Sequence, residues 1–335
     1  MTSRRAGILG CGHRVPRGVR RNDDPIFASL DTSRNAQGIY QSVLFRGLDR
    51  RHVLGPDESI TGFVTESCRQ ALERAEVTPE QIDRIYGYIT VPEYNSPNEL
   101  YQVHHDLGLP RTAMVVPINA EFTPFLLGVI QAAEAIAAGR ATYCLVACGT
   151  NMTRHIDYTQ GHSTSMGDAA AAAVVGPSDR FAITDYAALT DSAYQRAITI
   201  GLNPLTLQQR HVWPIDRTTG MPAPTLDMTQ TGIELLGSLY KDSIPKIVHD
   251  LLERNGVPAS DITLITHQGV RLLLDHWAER IRPARYVETL SSFGNLLTCT
   301  YPVNLSVAFD DIDTAHVVIV GLGTGAHVTA LLLRT

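Results

Sequence analysis

The chain has 335 residues, enough for one large domain or for two halves that pack together. With 44% hydrophobic residues it is not a disordered protein, and its net charge of −6 argues against a general nucleic-acid binder. No apolar run reaches the roughly 18 residues of a transmembrane helix. The five cysteines form no CxxC pair, so neither a disulfide framework nor a cysteine zinc site is indicated. We expect a cytoplasmic protein without a metal, membrane or nucleic-acid partner.

The predicted elements alternate between helix and strand along the chain. Residues 85–89 form an apolar strand, 126–138 a helix and 144–150 a second apolar strand that closes on Gly-Thr. A further apolar run follows at 169–175. Strands that alternate with helices predict an α/β fold with a mostly parallel sheet, covered by helices on both faces.

The chain repeats itself at an offset of 180 residues. The segment that begins at Leu72 reads LERAEVTPEQID, and the segment that begins at Leu252 reads LERNGVPASDIT. Each copy has the pattern of a helix end, a turn and a short apolar strand. A weaker echo relates 144–150 to 317–324. Chance similarity is the alternative, but matched apolar positions in the same order favour a duplication.

A turn-rich stretch at residues 176–179 indicates the junction between the two copies. We therefore predict an N-terminal half at 1–177 and a C-terminal half at 178–335. Residues from about 185 to 230 have few periodic runs. Because long loops of this kind are usually functional or disordered, we interpret this region as an insertion that forms a lid or a tunnel wall.

Polar residues follow the predicted strands at points where ligands bind in such sheets. His267 comes directly after a strand and is a candidate general acid or base, or a donor to an oxyanion; a strand-end cap is the alternative. Asn295 follows Gly294 and offers an amide, although an ordinary Gly-Asn turn has the same pattern. The glycine-rich loop at 321–325 precedes a strand rather than a helix, which excludes a nucleotide fingerprint and leaves a tight hairpin or a functional loop.

Glu121 stands just before the helix predicted at 126–138. A carboxylate near a helix N-terminus is favoured by the helix dipole, and Pro124 fits the first turn. Stabilisation of the helix end is therefore the alternative to a catalytic role for Glu121.

Together these segments resemble the thiolase superfamily, and most closely its ketoacyl-ACP synthase III branch. The resemblance runs the length of the chain, through residues 6–16, 47–52, the MGDAAA segment at 166–171, His267-Gln268-Gly269, Gly294-Asn295 with Tyr301-Pro302, and the glycine-rich hairpin at 321–325. It implies a thiolase-like, five-layered α-β-α-β-α fold of two duplicated halves and a homodimer. It also implies that His267 and Asn295 are catalytic and that the substrate is an acyl thioester of coenzyme A or a carrier protein, with no cofactor.

The sequence departs from this family at the nucleophile. The family motif reads DINAACSGF, whereas residues 117–125 read PINAEFTPF, and four flanking matches place Phe122 at the cysteine position. Sliding the register by one residue would place Glu121 there but would break those matches. A phenyl ring cannot form a thioester, so the acyl-enzyme route is closed at this position. His267 and Asn295 nevertheless remain.

We therefore predict an acyltransferase that uses direct acyl transfer or condensation without a cysteine acyl-enzyme, as in fatty-acid, polyketide or other specialised metabolism. Glu121 or Glu93 is the candidate base. The alternatives are a non-catalytic partner subunit in a heterodimer with an active ketosynthase, a malonyl-thioester decarboxylase, and a module that binds thioesters or docks a carrier protein.

Further residues are assigned to the substrate by the same resemblance. Gly323 and Gly325 are expected to form a substrate or oxyanion loop. Arg46, Arg154 and Trp213 are candidate contacts for the thioester arm or carrier phosphates, with surface or packing roles as the alternative.

Overall fold

The computed structural model describes residues 5–94, 96–201 and 224–335. The strands are β1 (Ala6–Arg14), β2 (Gly18–Arg21), β3 (Arg50–Val53), β4 (Ile82–Thr90), β5 (Met114–Pro117), β6 (Tyr143–Thr150), β7 (Ala169–Pro177), β8 (Ala182–Thr190), β9 (Ile198–Gly201), β10 (Thr225–Met228), β11 (Ile262–Thr266), β12 (Arg285–Val287), β13 (His316–Gly323) and β14 (His327–Arg334). The helices are α1 (Ile60–Ala75), α2 (Leu100–Leu107), α3 (Pro124–Ala137), α4 (Gln230–Gly237), α5 (Leu239–Asn255), α6 (Arg271–Ile281), α7 (Leu290–Phe293) and α8 (Thr300–Ala308).

One large sheet contains the same strand order twice. Its order is β12-β11-β13-β14-β8-β1-β7-β6-β4-β5, so β1-β7-β6-β4-β5 is repeated as β8-β14-β13-β11-β12. The two halves meet where Gly7 of β1 pairs with Ala182 of β8. The sheet is mixed, which corrects the prediction of a mostly parallel sheet: β4 pairs with β5 and β6 in parallel, β11 pairs with β12 and β13 in parallel, and the other pairs are antiparallel.

Three layers of helices alternate with the two half-sheets, one layer between them and one on each outer face. This arrangement confirms the predicted five-layered architecture. Helices α3 and α8 lie between the half-sheets, and their buried side chains share one core with both halves. Helices α1 and α2 cover the outer face of the first half, while α5 and α6 cover the outer face of the second. In the part of the chain that the structure describes, no helix has the length and hydrophobicity to cross a membrane.

The local sequence determines where α3 begins and how closely it packs on the sheet. Thr123 is the N-cap and Pro124 the first helical residue, where the missing N–H costs nothing. Gly128 brings the helix close to the sheet, since a Cβ at this position would lie 2.7 Å from a methyl carbon of Val146. The residues just before α3, including Glu121 and Phe122, are therefore held near the strand ends.

The repeated segments form equivalent elements. Helix α1 and strand β4 correspond to α5 and β11 at the offset found in the sequence. The insertion predicted from about residue 185 begins too early, because residues 185–190 belong to β8 and pair with β14. This error arose because β8 is largely exposed, so its sequence, AITDYAALT, lacks the run of large apolar residues that marks a buried strand.

Candidate active site

Among the side chains that line a cavity of 320 Å³ are three that the sequence singled out for the reaction centre, Phe122, His267 and Asn295. All three are buried. Much of the remaining wall is apolar and includes Leu44, Leu48, Ile198, Leu226, Leu297 and Leu322. An apolar cavity with a few convergent polar groups is the usual form of a small-molecule site.

His267 is placed by the end of β11. Its backbone N–H donates to the carbonyl oxygen of Val320 on β13 at 3.2 Å. Burial lowers the pKa of the imidazole to about 3, so the ring is neutral at physiological pH. The hydroxyl oxygen of Tyr301 lies 3.3 Å from Nδ1. His267 therefore presents a neutral ring with a fixed orientation to the cavity.

Asn295 is oriented by a tight turn. Gly294 has φ 76°, and a Cβ there would lie 2.3 Å from the carbonyl oxygen of Ser165, so a larger residue does not fit. The Asn295 N–H donates to that same oxygen at 2.6 Å. Its Oδ1 accepts from the N–H of Leu297 at 3.0 Å, which leaves the Nδ2 hydrogens for other partners.

The two functional nitrogens face the same space. A Cβ placed on Gly269 would lie 3.7 Å from His267 Nε2 and also 3.7 Å from Asn295 Nδ2. Gly269 lines the cavity together with both residues. A small group of a ligand bound at this point would contact both side chains.

Gln268, a residue to which the sequence reasoning gave no role, connects the two sides of the site. Its Nε2 donates to the carbonyl oxygen of Gly294 at 2.8 Å, and its Oε1 accepts from the N–H of Thr289 and from Nδ2 of Asn304, both at 3.0 Å. The side chain is fully buried. A glutamine at the end of an apolar strand was the available signal, because a buried amide needs partners.

Phe122 lies immediately before the N-cap of α3, at the position that the family motif gives to the nucleophile. Its ring stacks on His267, with centroids 5.7 Å apart and an interplanar angle of 28°. Its backbone has φ 69°, a value that bulky residues rarely adopt. The turn thus points this side chain at the imidazole at some conformational cost.

The native cysteines do not replace the missing nucleophile. All five are buried, and none of them lines the cavity. Burial raises the pKa of Cys148 to about 12 and that of Cys299 well above its ordinary value. The Cys299 thiol donates to the carbonyl oxygen of Ala169 at 3.2 Å. Protonated, enclosed thiols are inert toward thioesters.

Glu121 is buried but does not line the cavity with His267 and Asn295. The Thr90 hydroxyl donates to Oε1, while Oε2 has no hydrogen-bond partner in the described structure. Burial raises the pKa of this carboxyl to about 7. Glu93, the other candidate base, is exposed, so it lacks the desolvation on which that prediction depended.

The glycine-rich hairpin packs against Glu121, and Gly323 and Gly325 are not among the residues that line the cavity, so their substrate or oxyanion role stays a prediction. The carbonyl oxygen of Gly323 accepts from the Tyr240 hydroxyl at 2.8 Å, and a Cβ on Gly323 would lie 2.5 Å from the Glu121 carbonyl oxygen. Gly325 has φ 77° in the turn, with nothing within 4 Å of an added Cβ. Within this hairpin, Leu322 is the residue that reaches the cavity.

Two arginines belong to the cavity lining. Arg46 was predicted; it is exposed, and its guanidinium lies 3.7 Å from a carboxylate oxygen of Asp275. Arg271 was not predicted; it donates to Glu288 at 2.7 Å. Both side chains lie at a mostly apolar wall, and each is paired with a carboxylate.

The other predicted arm contacts are not brought to the cavity by the described structure. Arg154 donates to the carbonyl oxygens of Gly55 at 2.6 Å and Glu58 at 3.2 Å, so its guanidinium holds a loop. Trp213 lies outside the described residues. Over residues 5–94, 96–201 and 224–335, no group of three His, Cys, Asp or Glu side chains is arranged to hold a metal ion.

The doubled strand order, with a histidine and an asparagine at one central cavity, defines a thiolase-type condensing-enzyme fold. The family model for 3-oxoacyl-[acyl-carrier-protein] synthase III matches residues 117–192, and the model for the C-terminal part of that family matches residues 252–335. The chain is therefore ketoacyl-ACP synthase III-like, a protein of the thiolase superfamily.

Full-length relatives and solved structures agree with this assignment. The chloroplastic β-ketoacyl-[acyl-carrier-protein] synthase III of Arabidopsis thaliana is 26% identical over 98% of this chain and 82% of its own length. The priming β-ketosynthase of the R1128 polyketide biosynthetic pathway has a TM-score of 0.85 at 22% identity, with 99% and 96% of the two chains covered. A cysteine-to-serine variant of Xanthomonas campestris OleA, solved with lauric acid and lauroyl-CoA, has a TM-score of 0.81 at 18% identity, with 99% and 100% covered.

Proposed function

We propose that the protein is an acyltransferase that takes an acyl group from a coenzyme A or carrier-protein thioester and passes it directly to an acceptor, without a cysteine acyl-enzyme. The observation that carries this proposal is one cavity in which His267 Nε2 and Asn295 Nδ2 face a common point while Phe122 occupies the nucleophile position. Both the polarising groups and the space for a ligand are present, and a covalent route through residue 122 is not.

In this mechanism the thioester carbonyl binds beside Asn295, whose Nδ2 donates to the oxygen as negative charge develops. Removing one such preorganised donor typically lowers turnover roughly 10²–10³-fold. His267 acts on the same carbonyl or on the incoming nucleophile. Because the acyl group never resides on the protein, donor and acceptor must be bound together, and the order of addition is sequential rather than ping-pong.

Two further observations support an acyl thioester as the donor. The apolar walls suit an acyl chain or a pantetheine arm, and Arg46 and Arg271 supply positive charge for phosphates. The OleA structure shows that a protein of this fold holds lauroyl-CoA. The R1128 neighbour favours a role in polyketide or related specialised metabolism.

We also propose that the protein functions as a homodimer.

The test is to fill the common point with a methyl group. Gly269→Ala places a Cβ 3.7 Å from both nitrogens at ordinary van der Waals distance, so folding should be retained while the carbonyl is displaced. Gly237→Ala is the matched control, because nothing lies within 4 Å of its added Cβ. We expect acyl-CoA turnover to fall at least 100-fold in Gly269→Ala and to be unchanged in the control. Equal turnover in both variants would refute this site.

Purification of the native protein separates this proposal from the alternative of a non-catalytic subunit. An active homodimer supports the acyltransferase. A tight heterodimer with a cysteine-bearing ketosynthase, in which Gly269→Ala has no effect on activity, supports the partner role instead.

A further inference from the structure

The Tyr301 hydroxyl lies between the functional imidazole and a backbone carbonyl. Tyr301 is on α8 and is fully buried. Its oxygen is 3.3 Å from His267 Nδ1 and 3.4 Å from the carbonyl oxygen of Leu322. A Cβ on Gly321 would lie 2.5 Å from that hydroxyl, so the absence of a side chain there makes room for it.

The single phenolic proton decides which nitrogen of His267 carries hydrogen. The Leu322 carbonyl accepts only, whereas each nitrogen of a neutral imidazole either donates or accepts. If Tyr301 donates to Leu322 and Nδ1–H donates to Tyr301, both contacts are hydrogen bonds. If Tyr301 instead donates to Nδ1, the lone pairs of its own oxygen and of the Leu322 carbonyl oxygen face each other in a buried site. The hydrogen bond between Tyr301 and Leu322 is then lost.

We propose that Tyr301 is a positioning residue that holds His267 in the Nδ1–H tautomer, so that Nε2 presents a lone pair to the cavity and acts as a general base. Resting on the proposed acyl transfer, this assigns the acceptor to one chemical class: a molecule with an O–H or N–H group, that is, an alcohol or an amine. Asn295 Nδ2 then remains the donor to the carbonyl oxygen.

The transfer balances with these groups alone. The acceptor oxygen or nitrogen forms a bond to the thioester carbon, and its proton passes to His267 Nε2. The C–S bond then breaks, and the same proton passes from Nε2 to the leaving sulfur, which gives an ester or amide and a free thiol. The transient imidazolium lies beside the developing oxyanion, and this attraction offsets the burial that disfavours the charged ring. A carbon nucleophile does not fit this arrangement. An enolate formed by decarboxylation has no proton to give to Nε2, and its negatively charged oxygen would face the Nε2 lone pair.

The tautomer is tested by long-range ¹H–¹⁵N NMR on protein labelled at histidine, with His267→Gln to assign the signals. We expect Nε2 of His267 to be unprotonated in the native protein and to gain a proton in Tyr301→Phe. Tyr240→Phe is the matched control, because it also removes a buried phenol bound to this hairpin but touches Gly323 rather than His267. A protonated Nε2 in the native protein, or an unchanged tautomer in Tyr301→Phe, overturns the proposal.

The acceptor class is tested with acyl-CoAs from acetyl to octanoyl, hydroxylamine as the N–H acceptor, and malonyl-CoA as the source of a carbon nucleophile. We expect protein-dependent hydroxamate formation that falls at least tenfold in Tyr301→Phe and persists in Tyr240→Phe. Condensation with malonyl-CoA in the absence of hydroxamate overturns the acceptor assignment while leaving acyl transfer intact. No turnover with any acceptor overturns the proposed function and the acceptor class together, and the NMR result then decides the tautomer independently.

Discussion

The ring of Phe122 lies against the face of His267, at a centroid distance of 5.7 Å. Phe122 directly precedes the N-cap of α3, so its backbone lies at the positive end of that helix dipole. A thiol at this position would therefore have a lowered pKa and a neutral imidazole next to it. The surroundings of a nucleophile are retained around a side chain that cannot act as one.

Phe122→Cys should consequently acquire an acyl-enzyme. Incubated with acyl-CoA, the variant should gain the mass of one acyl group, whereas the native protein should keep its mass, because the helix dipole and His267 activate the new thiol. Intact-protein mass spectrometry measures both. An adduct on the native protein would contradict the non-covalent mechanism.

Phe122→Ala separates the thiol from the space that the ring leaves. Both variants should lose about 3–5 kcal/mol of unfolding free energy, since each removes a buried phenyl ring. Urea unfolding checks that the losses match. An acyl adduct on Phe122→Ala would show that a residue other than the introduced cysteine had reacted.

The five native cysteines should be unreactive in the folded protein. All are buried, and burial raises the pKa of Cys144 and of Cys148 to about 12. We expect no modification by iodoacetamide under native conditions and modification of all five after denaturation, counted by mass spectrometry. Rapid labelling of a single cysteine in the folded protein, blocked by acyl-CoA, would reveal a nucleophile within the site.

The sequence pattern was sufficient for the alternation of helices and strands and for the duplication, although not for the mixed strand directions of the sheet. The helix-turn-strand segments at Leu72 and Leu252 fold as equivalent elements because apolar spacing determines which faces are buried. His267 follows β11 directly, as ligand-binding residues of such sheets do, whereas Asn295 comes after α7 and is oriented by the turn at Gly294.

The sequence pattern could not predict the directions in which individual side chains point. Glu121 and Phe122 are adjacent, yet only Phe122 lines the cavity, because a backbone with φ 69° turns the two side chains apart. Gln268 and Tyr301 gain their importance from hydrogen bonds to residues distant in sequence. Arg154 was assigned to the ligand by its charge, but backbone carbonyls take up its hydrogen bonds.

Asn295→Ala should slow catalysis more than it weakens binding. The variant removes the Nδ2 donor and also the 3.0 Å bond to the N–H of Leu297. We expect turnover to fall roughly 10²–10³-fold, the usual cost of one lost oxyanion donor. Calorimetric titration with coenzyme A should give an affinity close to that of the native protein, because Arg46 at the cavity is untouched. A loss of coenzyme A affinity as large as the loss of turnover would assign Asn295 to ground-state binding.

Glu121 should make the folded protein less stable as the pH rises. Burial raises its pKa from 4.5 to about 7, so the native state retains a proton that the unfolded chain has lost between these values. Stability from this group is therefore fully present below about pH 4.5 and falls until about pH 7, by an amount on the order of 3 kcal/mol.

Glu121→Gln removes this titration. Urea unfolding should show the variant gaining stability over the native protein at about pH 8 relative to about pH 4.5. A pH-independent difference between Glu121→Gln and the native protein would mean that the carboxyl has the same pKa in the folded and unfolded states, with the Thr90 hydrogen bond compensating its burial.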